Sequence, residues 1–191
     1  MKQYLSVTAA INHNHPDILA QVEKLKSHSH NEIDYIKNAY YFVRDEIPHS
    51  WDIKVPTVSR CASEVLENKT GICWTKSCLL AALLRATGIP SGISYQYLTR
   101  ADEDDSDGYI IHALNTVYVK ELDRWIRLDA RGNREDVHAE FCLDNEILAF
   151  EVREQLKERD YRNNEPDLDA RLVKILMESK NILLIRTDFE L

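Results

Sequence analysis

Three residues whose types can catalyse acyl transfer through a thiol stand well apart in the sequence, namely Cys73, His112 and Asp129. Cys73 lies between a turn and the apolar run 79–84, so it is predicted to occupy the first turn of a helix. The unpaired N–H groups and the positive dipole end at such a position favour a thiolate over a thiol. A thiol nucleophile also needs a base, which an imidazole supplies, and a carboxylate that holds the imidazole in one tautomer.

The helix that would carry Cys73 is predicted over residues 73–87. Its apolar positions nearly surround it, which is typical of a helix buried in the middle of a fold. Gly88 and Pro90 follow in the order expected at a helix C-terminus. The sequence therefore predicts a buried central helix with a cysteine at its N-terminus.

A change to a two-residue period after this helix predicts an antiparallel sheet, because the connections between the periodic segments are short. The predicted strands cover residues 93–98, 109–119 and 124–129. If the last two strands form a hairpin that turns near Lys120 and Glu121, Asp129 lies opposite His112 or one diagonal away. That placement puts the two side chains within hydrogen-bonding reach.

Other elements are predicted on both sides of this core. Helical spacing covers most of residues 16–47, and the loop 49–56 separates this part from a short helix at 61–67. A C-terminal extension, residues 146–191, is expected to contain an edge strand near 148–152 and a helix through 168–177. A short strand at 4–8 and a strand or docking segment at 182–185 are further expectations. Helices followed by an antiparallel sheet indicate an α+β fold.

The composition limits the classes of function. A chain of 191 residues suits one domain, and its net charge of −8 argues against nucleic acid or an anionic membrane as the main partner. Four cysteines without short paired spacings do not form the pattern of a disulfide framework. The start of the sequence has no apolar targeting region, and no run approaches membrane-spanning length. We therefore expect a soluble cytoplasmic protein with reduced cysteines.

Several motifs resemble those of the transglutaminase-like superfamily, whose fold is related to that of papain-like cysteine proteases. Gly71-Ile72-Cys73-Trp74 resembles its Gly-x-Cys-Trp nucleophile motif, and residues 83–90 resemble its helix end, Leu-Leu-Arg-Ala-x-Gly-Ile-Pro. His112-Ala113 and residues 125–129 are similar to its His-Ala strand and its Trp-x-x-x-Asp strand. The motifs span roughly residues 60–145, which would form the core of a single domain over residues 1–191.

The resemblance implies a papain/transglutaminase-like α+β core, with the buried central helix packed on the antiparallel sheet. It implies Cys73 as nucleophile, His112 as general base and then acid, and Asp129 as the residue that orients the imidazole. An amide would be cleaved through a thioester acyl-enzyme, with backbone N–H groups at the start of the helix meeting the oxyanion. In some members an upstream aromatic or amide side chain assists; Trp51 is the candidate here, and Trp74 is a supporting one.

The sequence also departs from the family pattern after the histidine. Leu114 stands where many members have Trp, and Ala130-Arg131-Gly132-Asn133 replaces Pro-Thr after Asp129. Water is favoured as acyl acceptor, because it needs no second binding site, whereas an amine acceptor would make the protein a transferase. The expected substrate is a peptide, a protein or a small amide, and the oligomeric state is open.

Two other classes of function compete with the thiol enzyme. A non-catalytic binding module that retains the fold is the main alternative, and the intact cysteine, histidine and aspartate argue against it. A redox pair of Cys73 and Cys78 is awkward at a helical separation of five residues, so Cys78 is predicted to lie in the core. Lys76 is predicted to be solvated.

Neither a metal nor a cofactor is expected. The acidic run 102–107 has carboxylates in places that suit a calcium loop, but Leu114 occupies the position of the bidentate glutamate. Cys73, Cys78 and His112 lack the close paired spacing of a zinc site. A solvated acidic loop is therefore the favoured interpretation.

Overall fold

The computed structural model describes residues 1–100, 106–187 and 189–191. Within them, four helices precede a sheet and one follows it. The α-helices are α1 (Pro16–Lys26), α2 (Glu32–Asp45), α3 (Ala62–Asn68), α4 (Cys73–Arg85) and α5 (Ala170–Glu178). The strands are β1 (Ser91–Thr99), β2 (Tyr109–Val119), β3 (Arg124–Leu128) and β4 (Arg159–Asp160). Short 3-10 helices lie at Lys2–Leu5, Lys120–Leu122, Glu154–Leu156 and Ile182–Leu184.

The sheet is antiparallel, with the strand order β3-β2-β1-β4. β2 and β3 form the predicted hairpin, which pairs Asn115 with Leu128 and turns through the 3-10 helix Lys120–Leu122. In this register the residue after β3, Asp129, lies one diagonal away from His112. The α+β fold class is confirmed.

α4 is the buried central helix, and none of its residues is exposed. Its polar residues fix it to β2: the Ser77 hydroxyl donates to the Ala113 carbonyl at 3.1 Å. The Asn115 amide donates in turn to the Ser77 carbonyl at 2.9 Å. These two bonds set the register between α4 and β2, and therefore the position of the α4 N-terminus relative to the sheet.

Two predicted strands outside the core, at 4–8 and 148–152, are wrong. Residues 148–152 form no strand, because the Ala149 N–H and the Phe150 carbonyl bond to side chains of Asp129 and Gln96 instead of to a neighbouring strand. The fourth strand is β4, and residues 2–5 form a 3-10 helix. Of the two alternatives for 182–185, the structure has the docking segment: residues 182–184 form a 3-10 helix, and Ile182 and Ile185 are buried in the core.

The C-terminal part belongs to the same core as α4. Leu168, Leu172, Leu176 and Ile182 are buried in the hydrophobic cluster that contains α4. No helix among residues 1–100, 106–187 and 189–191 combines the length and the apolar character needed to cross a membrane.

Candidate active site

Cys73 is the first residue of α4 and is 9% exposed. The N-cap residue, Ile72, makes no side-chain hydrogen bond to this helix end. The backbone N–H of Cys73 donates to Nε2 of His49 at 3.1 Å. The Cys73 sulfur interacts with the His112 ring and raises the pKa of that ring.

His112 and Asp129 form a fully buried pair, with 2.7 Å between Nε2 and Oδ2. Asp129 also accepts from the backbone N–H groups of Arg131 and Ala149, each at 3.1 Å. Because Nε2 faces the carboxylate, Nδ1 is the ring nitrogen left for the thiol. The structure thus brings Cys73, His112 and Asp129 together in the order thiol, imidazole, carboxylate.

The electrostatics of this pair favour an imidazolium beside a carboxylate. Burial alone would lower the pKa of His112, but the Asp129 carboxylate and the Cys73 sulfur outweigh it and raise that pKa to about 10. Burial would raise the pKa of Asp129, yet the His112 ring and the two backbone donors hold it below its ordinary value. The His112 ring therefore stays protonated and positively charged at neutral pH.

His49 is a site residue that the sequence did not reveal. A parallel β-bridge joins it to Gly71, and the Ser50 N–H donates to the Gly71 carbonyl at 3.0 Å. Gly71 is required at this crossing, since a Cβ there would lie 2.7 Å from the Thr75 hydroxyl. The contact depends on pairing between segments 22 residues apart, so local periodicity carries no signal for it.

The two tryptophans considered as site support have their indole N–H groups engaged elsewhere. Trp51 donates to the Ile182 carbonyl at 3.0 Å, and Trp74 donates to the Ile111 carbonyl at 2.7 Å. The Trp51 ring packs edge-on against His49, with 5.9 Å between centroids. Neither indole is free to donate to an oxyanion in this arrangement, and their contribution is packing.

Lys76 and Cys78 lie on the same helix as Cys73, and both are completely buried. The prediction that Lys76 is solvated is wrong. Its ammonium group donates to the carbonyls of Arg44 and Ile47 instead of reaching water. The prediction that Cys78 belongs to the core is confirmed, and burial raises the pKa of its thiol, which makes it a poor redox partner.

A bidentate ion pair ties the His49 segment to the turn after β3. Arg131 donates to both carboxylate oxygens of Asp52, at 2.7 and 2.8 Å. The backbone N–H of the same arginine donates to Asp129. One residue therefore links the loop that carries His49 to the carboxylate that orients His112.

A cleft of about 1090 Å³ opens at Cys73 and His112. Its walls are rich in charged side chains that are paired within the protein, such as Arg127 with Glu146 and Asp160, each at 2.6 Å. A second, apolar pocket of about 20 Å³ also touches Cys73 and is lined by isoleucine and tryptophan side chains.

Gln96 borders the cleft next to the imidazole, directly opposite His112 in the pairing of β1 with β2. Its Nε2 donates to the Phe150 carbonyl at 3.4 Å, which identifies Oε1 as the remaining amide atom. Oε1 is buried and has no hydrogen-bond partner among the residues that the structure describes. Sequence reasoning overlooked this residue because a glutamine in a strand has no distinctive pattern.

No group of three or more potential ligands that could hold a metal ion occurs in the described part of the chain. Residues 102–105 of the acidic run considered for calcium lie outside the described residues.

A model of the transglutaminase-like superfamily matches residues 20–130. No curated protein sequence matches the chain significantly. Because the matched region runs from within α1 to two residues beyond β3, it includes Cys73, His112 and Asp129 and the elements that carry them.

Among solved structures, a candidate cysteine protease from Cytophaga hutchinsonii has a similar fold, with a TM-score of 0.54 and 19% sequence identity. The alignment covers 67% of this chain and 40% of that one. The periplasmic domain of TgpA from Pseudomonas aeruginosa matches with a TM-score of 0.48 and 18% identity over 66% of this chain and 45% of its own. The chain thus spans less than half the length of either structure, and the likeness concerns the fold.

Proposed function

The chain belongs to the transglutaminase-like superfamily, and we propose that it is a thiol hydrolase that cleaves an amide bond through a thioester acyl-enzyme. The observation that carries the proposal is the contact series from the Cys73 sulfur to His112 and from His112 to Asp129. The cysteine sits at a helix N-terminus, the imidazole is protonated at neutral pH, and a buried carboxylate orients it. These are the parts that thiol-dependent acyl transfer requires.

In the acylation step, the Cys73 thiolate attacks the carbonyl carbon, a C–S bond forms, and the π electrons of the carbonyl move onto oxygen. The backbone N–H of Cys73 is the first candidate donor to that oxyanion. When the C–N bond breaks, its electrons go to nitrogen, and His112 gives the Nδ1 proton to the leaving amine. The products of this step are an amine, a thioester on Cys73 and a neutral imidazole.

In the deacylation step, water attacks the thioester carbon while Nδ1 of His112 takes one of its protons. The C–S bond breaks and its electrons return to sulfur, which releases a carboxylic acid and restores the thiolate and imidazolium. We favour water over an amine because Leu114 replaces the aromatic residue of many family members. An amine at the same position would give acyl transfer by identical steps.

The cleft supports a peptide or protein substrate over a small amide. Its volume of about 1090 Å³ exceeds the range of roughly 300–1,000 Å³ that is usual for drug-sized ligands. Charged walls suit a polar backbone, and the unpartnered Oε1 of Gln96 is a ready acceptor for a substrate N–H. The cytoplasmic location remains a prediction; four free cysteines are compatible with a reducing compartment.

The test is site-resolved labelling with iodoacetamide, followed by acetylation with p-nitrophenyl acetate. We expect wild-type protein to be alkylated fastest at Cys73 and to form an acetyl thioester there, and Cys73→Ala to lose both. His112→Ala should slow acetylation about 10²-fold or more, because the general acid and base is gone. Peptide mapping by mass spectrometry identifies the labelled residue.

Cys142→Ala is the matched control, since Cys142 is a partly exposed free thiol that does not line the cleft. This variant should keep the wild-type rates at Cys73. Alkylation at Cys61 or Cys142 as fast as at Cys73, without any acetyl adduct on Cys73, would favour a non-catalytic binding module that retains the fold.

A further inference from the structure

We propose that His49 is the second oxyanion donor of this site and that its ring closes the oxyanion hole until substrate enters. The inference rests on the proposed function, because an oxyanion arises only if Cys73 attacks a carbonyl group. One contact carries it. The Cys73 N–H, which would stabilise an acyl oxyanion, donates to Nε2 of His49 at 3.1 Å.

In the resting protein the imidazole of His49 is an acceptor. Nε2 therefore carries no proton, and the single proton of the neutral ring lies on Nδ1. Burial, together with the charges of Arg131 and Lys76, holds the pKa of His49 well below its ordinary value, so the ring is neutral. The contact satisfies a backbone N–H at the start of α4, where the N-cap residue Ile72 has no polar side chain.

Nothing in the described part of the chain holds the proton on Nδ1. This atom is buried and has no hydrogen-bond partner among those residues. His112 differs, because the Asp129 carboxylate fixes the nitrogen that it faces. The Cys73 N–H alone thus determines which tautomer His49 adopts. When an incoming oxygen accepts from this N–H instead, the His49 proton can move from Nδ1 to Nε2.

With its proton on Nε2, His49 becomes a donor beside the Cys73 N–H. The ring stays neutral, because Nδ1 gives one proton to water and Nε2 takes one up. When one oxygen accepts from both the Cys73 backbone nitrogen and Nε2 of His49, at about 2.7–3.1 Å from each, these two nitrogens must lie roughly 4–5 Å apart. The ring must therefore withdraw by about 1–2 Å from its resting place. The cleft and the small apolar pocket both border His49 and leave free volume beside it.

The decisive experiment compares two reactions of the same sulfur in His49→Phe, which keeps a flat ring without nitrogen. Acetylation by p-nitrophenyl acetate passes through an oxyanion, whereas alkylation by iodoacetamide is a substitution at saturated carbon and does not. We expect acetylation of Cys73 to fall about 10²–10³-fold and alkylation to stay within about threefold of wild type. His49→Gln, which keeps a donor and an acceptor, should recover acetylation to within about tenfold.

The control is His28→Phe, the same substitution at an exposed histidine beyond α1, and it should change neither rate. Acetylation of His49→Phe at or above the wild-type rate would mean that the ring only blocks the site, which overturns the proposal. Equal loss of both reactions would place His49 in thiol activation or folding and also overturns it. So would a loss of acetylation in Trp51→Phe but not in His49→Phe. If wild-type Cys73 is not acetylated at all, the proposed function itself fails.

A spectroscopic readout separates the donor role from a packing role. In protein with ¹⁵N-labelled histidine, His49 should carry its proton on Nδ1 when free and on Nε2 in the adduct of Cys73 with N-acetylglycinal. A proton that stays on Nδ1 in the adduct contradicts the proposal.

Discussion

His112 keeps a proton that a buried imidazole would ordinarily lose. Two partners hold it there, the Asp129 carboxylate at 2.7 Å and the Cys73 sulfur. Against the effect of burial, the His112 ring and then two backbone N–H donors hold the pKa of Asp129 below its ordinary value. The charge state of His112 therefore depends largely on a carboxylate that has no contact with solvent.

Asp129→Asn should lower the pKa of His112 from about 10 toward or below 6.5, because burial then acts without the opposing carboxylate. Titration of the ring protons of His112 by NMR measures this directly. The pair also contributes to stability: since the folded pKa lies above the unfolded one, its contribution is complete below pH 6.5 and is lost as the pH rises toward 10. A His112 midpoint that stays near 10 in the variant would contradict the assigned cause.

At the level of elements, Lys76 joins α4 to the end of α2. Its ammonium group donates to the Arg44 and Ile47 carbonyls, just before the segment that carries His49. Burial and the nearby Arg131 lower the pKa of Lys76 to about 7, against the pull of Asp129 and other carboxylates. Keeping the Lys76 ammonium group protonated at this buried position therefore costs free energy of folding at neutral pH.

Lys76→Met should show how this cost depends on pH. The unfolded chain binds the lysine proton up to about pH 10.5 and the folded chain only to about 7, so the stability contributed by Lys76 rises between these values. The free energy of unfolding of the wild type should therefore increase relative to that of Lys76→Met as the pH rises from 6 to 9. The slope is at most about 1.4 kcal/mol per pH unit, and the opposite contribution of His112 cancels in the difference. Urea unfolding of both proteins measures it.

Lys174→Met is the control for this comparison, because Lys174 is exposed on α5. Its difference from wild type should not change with pH. A difference for Lys76→Met that is equally flat would show that the buried ammonium group keeps its ordinary affinity for the proton.

Across the whole molecule, the guanidinium of Arg85 connects three distant parts of the chain. It lies in the last turn of α4, is 3% exposed, and donates to the Ser6 carbonyl at 2.8 Å. It also donates twice to the Ser91 carbonyl, at 2.7 and 3.0 Å, and once to the Pro166 carbonyl. The N-terminal segment, the start of β1 and the C-terminal part are thereby held at the end of α4 opposite Cys73.

Arg85→Met should lower the free energy of unfolding by roughly 2–4 kcal/mol, because several charge-assisted bonds are lost and carbonyls are left buried. The alkylation rate of Cys73 in the folded protein should stay at the wild-type value. Arg159→Met is the control, since its ion pair with Glu190 is exposed and contributes little. Equal unfolding midpoints in urea for the two variants would show that Arg85 does not hold these segments together.

Local sequence was sufficient for the core elements. The apolar positions around residues 73–87 predicted a buried helix, observed as Cys73–Arg85, and the period of two predicted β1 to β3. It was insufficient for residues 148–152, whose apolar character resembles an edge strand. Their backbone groups bond to Asp129 and Gln96, and such side-chain partners leave no trace in periodicity.

Sequence alone predicted the fold class, the central helix with Cys73 at its first turn, and the hairpin that puts Asp129 near His112. These features follow from periodicity, helix-end residues and motif order, all of which act over short stretches. The packing of distant segments was needed to show that His49 faces the Cys73 N–H, that both indoles are engaged elsewhere, and that Lys76 is buried. Each of these depends on a pairing between segments remote in sequence, such as residue 49 beside residue 71, and its free energy exists only once the chain has packed.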